Sequence, residues 1–430
     1  MLGFTSIISV PSLSMRCIYL PLLVLLLSSL LTACTAENDV TEEKQNINGI
    51  PSTEWILQNL SEGNINPRLS HGLKPSGQYV YALDSQWQSK KEDDAFLITQ
   101  ARFVYVMAVG YAVFDDPQYE TAMLSAADYL IENFAIPGTL GEFAWRITTE
   151  EGATNNLKSN KMGWKQAYAH SQVIFAMAHV YMLTDDETYL NTAYSIWTEL
   201  NVLEQINAKS PGYLVGLNTS MHTFEALLAL FKASDSMLVK NELEQLGSFI
   251  NNHFFDVQSG LFAEWLNDDK SPQLQNESRL GHNIEMAFLF SRAVDAGLSE
   301  KLLFTANSVV GAVAKIAQRS PEFLIPHTVG LNGDVGDDSH PWWGQTELIR
   351  GLAHFVIERK HTEYSDLLNQ VVSSTQQNYV KPSGAWSTSP NQEDDDNGHN
   401  WKVGYHTSMM LTELLRLQQF RFRTGHELLL

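Results

Sequence analysis

The chain has 430 residues, with 28 Lys and Arg against 49 Asp and Glu, a formal net charge of −21. That acid excess would repel a phosphate backbone and excludes nucleic acid as a partner. Hydrophobic residues make up 44%, enough for a large core, and the length admits roughly two or three ordinary domains or one large toroid.

Residues 1–33 read as a signal peptide. Arg16 precedes a nearly unbroken apolar run from Cys17 to Leu31, and Leu31-Thr32-Ala33-Cys34 supplies a small-residue cleavage site. Such a run, followed by such a site, is too short for a membrane span. The cysteine at the cut looks like a bacterial lipoprotein signal. Cys34 is then the lipidated first residue of the mature chain, placed outside the cytoplasm on a bacterial membrane (in the periplasm, for a Gram-negative cell). Removal of Cys17 leaves one cysteine, so no disulfide forms within the mature chain. Residues 34–52 are polar and aperiodic and read as a tether. The folded domain is expected over 53–424.

From residue 53 the chain is a train of about twelve amphipathic or apolar helical runs, and strand-like alternation is scarce. Their approximate spans are 53–62, 94–113, 117–134, 165–183, 186–204, 219–234, 236–254, 281–296, 299–318, 342–359, 361–379 and 404–423. Short connections carry turn residues, as in Asp115-Asp116-Pro117, Thr184-Asp185-Asp186 and Ser234-Asp235-Ser236. Long ones, near 135–164, 205–218, 255–280, 319–341 and 380–403, are rich in Gly, Asn, Asp, Ser and Pro. Short turns join antiparallel helix pairs, and long loops lead on to the next pair. Six pairs that close give an all-α (α/α)6 toroid with every long loop on one rim; an open α-solenoid has the same period.

Three histidines stand where long loops meet apolar helices: His222 in Asn218-Thr219-Ser220-Met221-His222, His282 in Gly281-His282-Asn283-Ile284-Glu285, and His406 in Gly404-Tyr405-His406-Thr407. They are 60 and 124 residues apart, about one and two units of a period near 60 residues. A closed ring would bring them to one rim, and imidazole is the side chain suited to proton transfer near neutral pH. His222 with Glu225, and His282 with Glu285, share a helix face three residues apart, where a carboxylate can fix the imidazole tautomer. Arg102, inside an apolar run, needs a partner or an anionic ligand. His170 reads either as a site residue or as a core histidine bonded to a backbone carbonyl. Trp342, Trp343, Trp386 and Trp401 lie in or beside long loops and could stack on sugar faces or pack the loops. The acidic run Glu393-Asp394-Asp395-Asp396 reads as solvated surface. No zinc-protease, phosphate-loop or dinucleotide motif is present.

Together these motifs resemble the N-acylglucosamine 2-epimerase superfamily, which includes cellobiose 2-epimerases and mannose isomerases. The similarity runs from about residue 53 to 420. Gly281 to Glu285 and Asn218 to His222 are its most specific parts, and Trp342-Trp343 with Glu347, and Tyr405-His406, add support. The resemblance implies an (α/α)6 barrel and a 2-epimerase or aldose–ketose isomerase acting on a mono- or disaccharide, with neither metal nor redox cofactor. It implies His282 and His406 as the acid–base pair acting through an enediolate, with His222 assisting, Arg102 holding the enediolate oxygen and Glu285 orienting His282. Tyr168, His170, Asn218, Trp342, Trp343, Glu347 and Trp401 would contact the sugar. Thr407-Ser408-Met409-Met410 follows the last histidine where the family often has an arginine. Tyr168-Ala169-His170 looks more like the mannose-isomerase branch, Gly281 to Glu285 more like the cellobiose-epimerase branch. Two other readings stay open: a glycoside hydrolase or lyase on the same toroid, using carboxylates such as Glu142, Glu264 or Asp337, and a non-catalytic glycan-binding lipoprotein.

Overall fold

Three of the short connections use one device. Asp115, Asp185 and Asp235 each end a helix in the left-handed conformation, with φ of 52°, 57° and 50°, and each backbone N–H returns to the carbonyl four residues back. Short polar side chains tolerate that conformation better than most. The following Asp116 and Asp186 then cap the next helix by accepting from the N–H groups of Gln118 and Thr188. One left-handed residue next to one capping residue reverses the chain within a single turn.

The computed structural model describes residues 49–90, 94–147, 163–274, 277–392 and 395–422, and these belong to one compact unit. The signal, Cys34, most of the tether, and Glu393 and Asp394 lie outside the described residues.

The inner helices are α3 (Leu97–Phe114), α5 (Trp164–Thr184), α8 (Leu217–Ser234), α10 (Leu280–Asp295), α12 (Trp342–Ile357) and α14 (Tyr405–Leu417). Each packs on the next, and α14 packs on α3, which closes the ring. Their partners outside are α1 (Thr53–Leu60), α4 (Pro117–Phe134), α6 (Glu187–Leu200), α9 (Met237–His253), α11 (Lys301–Arg319) and α13 (Ser365–Tyr379). The toroid is therefore closed, as an (α/α)6 barrel. Two short helices, α2 (Asn66–Gly72) and α7 (Val202–Asn207), extend α1 and α6.

The sequence separates the two layers. In α3 the residues from Leu97 to Gly110 are buried without a break, as expected of a helix apolar on every side. In α4 burial falls on Tyr119, Ala122, Met123, Ala126, Ala127, Leu130 and Phe134, the stripe of a helix with one wet face.

The first helical stretch is longer than its sequence span. After α1 it passes through a π-helical turn, Ser61–Ile65, into α2. That turn fastens the seam of the ring: the Asn64 amide donates to Ser408 Oγ at 2.7 Å and to the Gly404 carbonyl at 3.2 Å. The long loops are also more ordered than their composition suggests. Antiparallel ladders pair Ala95–Phe96 with Arg146–Ile147, Phe255–Asp256 with Leu261–Phe262, and Glu277–Arg279 with Thr328–Gly330. Two or three residues are too few for alternation to show in sequence. The third ladder ties together the loops before α10 and α12, and so sets one wall of the rim cavity.

Candidate active site

The N-terminal ends of the inner helices surround a rim cavity of about 470 Å³. Arg102, Tyr168, Asn218, His222, His282, Trp342, Trp343, Trp401 and His406 all line it. The loops add Glu264, Trp265, Arg279 and His327.

Each of the three histidines presents Nδ1 to a buried carboxylate. For His222 the partner is Glu225 Oε2 at 2.8 Å, which also accepts from the Tyr405 hydroxyl at 2.7 Å. For His406 it is Glu347 Oε1 at 2.8 Å, while Glu347 Oε2 accepts from Arg350 at 2.9 Å. For His282 it is Glu264, with oxygens at 3.0 and 3.1 Å. An ionised carboxylate only accepts, so in the neutral ring Nδ1 carries the proton and Nε2 keeps the basic lone pair. Burial lowers the pKa of His222 to about 4 against the opposing pull of Glu225, and lowers that of His406 against Glu347. Both rings are therefore neutral, and able to accept a proton, at neutral pH.

Trp343 packs the rings into place. Its centroid lies 5.1 Å from that of His282, 5.7 Å from His406 and 5.8 Å from His327. The indole fits because Gly281 lacks a side chain: a Cβ there would lie 2.3 Å from the ring. On the opposite wall Tyr168 stacks near Trp401 at 6.2 Å and tilts against His222 at 5.0 Å. Arg102 donates from Nε to Gln172 at 3.1 Å and from one terminal nitrogen to the Tyr168 hydroxyl at 2.8 Å, and its guanidinium lies 4.4 Å from the centroid of Tyr405.

Three expectations change. Glu285 does not orient His282; Glu264, arriving from the loop after Phe262, takes that position. Glu285 lies behind the cavity, fully buried, with neither oxygen hydrogen-bonded. Glu347 does not reach the cavity as a sugar contact, because His406 and Arg350 occupy its two oxygens. His170 is a core residue: Nδ1 faces the Gln166 carbonyl at 2.6 Å and Nε2 accepts from the Phe143 N–H at 2.9 Å, so neither nitrogen is left for a ligand.

Sequence reasoning gave no role to Trp265, Arg279 or His327. Their loops carry no helical period to place them. The one available cue was Glu264, a carboxylate in the apolar stretch Leu261 to Leu266, where burial demands a partner.

Residues 77–409 match the family model described as N-acylglucosamine 2-epimerase (GlcNAc 2-epimerase). The chain belongs to the N-acylglucosamine 2-epimerase family. It is thereby placed among carbohydrate epimerases and isomerases. A cellobiose 2-epimerase of Dictyoglomus turgidum is 21% identical over 288 residues, 59% of this chain and 71% of that one. In fold the chain is similar to the cellobiose 2-epimerase of Spirochaeta thermophila, with a TM-score of 0.72 and 18% identity over 85% of this chain and 96% of the other. A D-mannose isomerase structure gives a TM-score of 0.74 and 17% identity over 85% and 98%.

A second buried cluster shows what the cavity supplies. Ser291 Oγ lies 2.8 Å from His354 Nε2, and His354 Nδ1 lies 3.0 Å from Glu413 Oε1. The order is that of a hydrolytic triad. All three residues are essentially sealed from solvent, and Arg359 Nε donates to the same serine oxygen at 2.6 Å. It is a structural network of the core.

Proposed function

We propose that the protein is a sugar 2-epimerase or aldose–ketose isomerase that moves a proton by histidine acid–base catalysis. The observation that carries this reading is the set of three carboxylate-backed imidazoles lining one cavity. With the open-chain sugar bound, Nε2 of His282 or His406 removes the proton from C2, and the charge spreads into an enediolate. Return of a proton to the opposite face of C2 gives the epimer, and return to C1 gives the ketose. His222 polarises or protonates sugar oxygens. Arg102, held through two of its nitrogens, offers its other terminal nitrogen to the enediolate oxygen. Trp343, Trp342 and Trp401 supply apolar faces for a sugar ring.

A hydrolase needs two carboxylates across the scissile bond. Among the described residues lining the cavity Glu264 is the sole carboxylate, and both its oxygens face His282. Asp337 instead accepts from the Ser339 N–H in an exposed turn. Lipidation at Cys34, and an extracytoplasmic place on a bacterial membrane, complete the proposal and rest on the sequence of residues 1–34.

The test is incubation of the protein with glucose, mannose, cellobiose and mannobiose in deuterated water, followed at C2 by proton NMR. The expected result is epimer or ketose with solvent deuterium at carbon; release of shorter sugars would overturn it. His282→Ala and His406→Ala should each nearly abolish turnover while helical circular dichroism persists. Full activity in both would remove the acid–base assignment.

A further inference from the structure

Beneath the cavity floor three carboxylates converge. Oxygens of Glu225 and Glu285 lie with a His222 nitrogen inside one 4.8 Å cluster, and oxygens of Glu285 and Glu347 lie with a His406 nitrogen inside another. Glu285 is common to both. It stands between the two His–Glu pairs; neither of its oxygens receives a hydrogen bond, and Oε1 of Glu225 is likewise without a partner.

The charges around it decide its state. Arg350 faces it from α12 beside Glu347, Arg102 faces it from α3, and Glu225 faces it from α8. The hydroxyls of Tyr168 from α5 and Tyr405 from α14 also feel its charge. His222 and His406 complete the surroundings and are neutral at neutral pH. Two arginines therefore balance two carboxylates, Glu225 and Glu347. A third anion would sit uncompensated in a dry interior, where an unpaired charge is strongly disfavoured. Burial, with Glu347 and Glu225 adding to it, pushes the Glu285 carboxyl well above the usual range.

We infer that Glu285 is a positioning residue that works as the un-ionised acid: its O–H donates to Glu225 or Glu347 and keeps both carboxylates charged behind His222 and His406. A bare Glu225 or Glu347 anion holds its histidine in the Nδ1–H tautomer, which leaves Nε2 basic toward the cavity. The Glu225 oxygen that lacks a partner, Oε1, is one acceptor available to that O–H. Ionisation of Glu285 would favour protonation of its neighbours and disrupt both pairs. Activity is therefore present below the pKa of Glu285 and lost as pH rises through it.

The kinetic part of this inference rests on the epimerase–isomerase reading; the spectroscopic part does not. Glu285→Gln keeps the shape, the neutrality and a donor, and should lower kcat by no more than about tenfold. It should also extend the alkaline limb of the pH profile upward. Glu285→Met keeps the bulk but not the donor, and should lower kcat by at least about 100-fold with little change in KM. Wild-type protein at neutral pH should show the infrared C=O stretch of an un-ionised buried carboxyl, absent from Glu285→Gln. A Glu285→Gln protein as inactive as Glu285→Met, with its circular dichroism intact, would overturn the inference. So would a missing carboxyl band, or a stoichiometric metal ion in the purified protein removed together with activity by a chelator.

Discussion

Gly281→Ala offers a test of the site's packing. In a helix, alanine is favoured over glycine by about 1 kcal/mol. Against this, the new Cβ would stand 2.3 and 2.6 Å from two atoms of the Trp343 ring, which must move. Overpacking of this kind costs about 1–3 kcal/mol, so the clash equals or exceeds the helical gain, and the variant should be neutral to about 2 kcal/mol less stable. In a Trp343→Ala background the obstructing ring is gone, and the same substitution should stabilise by about 0.5–1 kcal/mol. The displaced indole would also release His282 and His406, and misplacement by about 1 Å can cost roughly 100-fold in rate. Urea unfolding of the four proteins of the cycle, with kcat/KM for wild type and Gly281→Ala, measures both effects. Equal destabilisation in the two backgrounds would refute the claim that Gly281 exists to seat Trp343.

Glu264→Gln should lower kcat by about 10²- to 10⁴-fold, because an amide can donate to Nδ1 and favour the wrong tautomer of His282; steady-state kinetics with a circular dichroism control check this. The buried His170 gives a pH prediction with a definite sign. Its pKa is lowered to about 4 by burial, against the raising effects of the Gln166 carbonyl and Glu142. The unfolded chain takes up this proton below about pH 6.5 and the folded chain does so only near 4, so stability falls as pH drops through that window. At 1.36 kcal/mol per unit the loss attributable to His170 reaches about 3 kcal/mol. Urea midpoints between pH 7 and 4 should fall more steeply for wild type than for His170→Gln.

Chain order carried the fold because helical period and turn chemistry are local. Asp115-Asp116-Pro117 and Thr184-Asp185-Asp186 mark their reversals with residues that can be left-handed or cap a helix, and those reversals appear where the composition puts them. The contrast between α3, apolar on all sides, and α4, apolar on one, is likewise written in neighbouring residues. Three histidines at helix starts, in phase with the repeat, were enough to anticipate that they would share a rim.

Which carboxylate stands behind which imidazole was a different matter. His222 found Glu225 one turn along its own helix, as spacing allowed. His282 had the same spacing to Glu285 yet paired with Glu264, 18 residues away in a loop whose path is set by the ladders at Phe255–Asp256 and Glu277–Arg279. His406 found Glu347 on the neighbouring inner helix, and His170, the same residue type in an equally apolar run, turned its ring into the core. Spacing along one helix says which groups can meet; ring closure and loop path decide which do, because a buried polar group pairs with the partner that tertiary packing brings within about 3 Å.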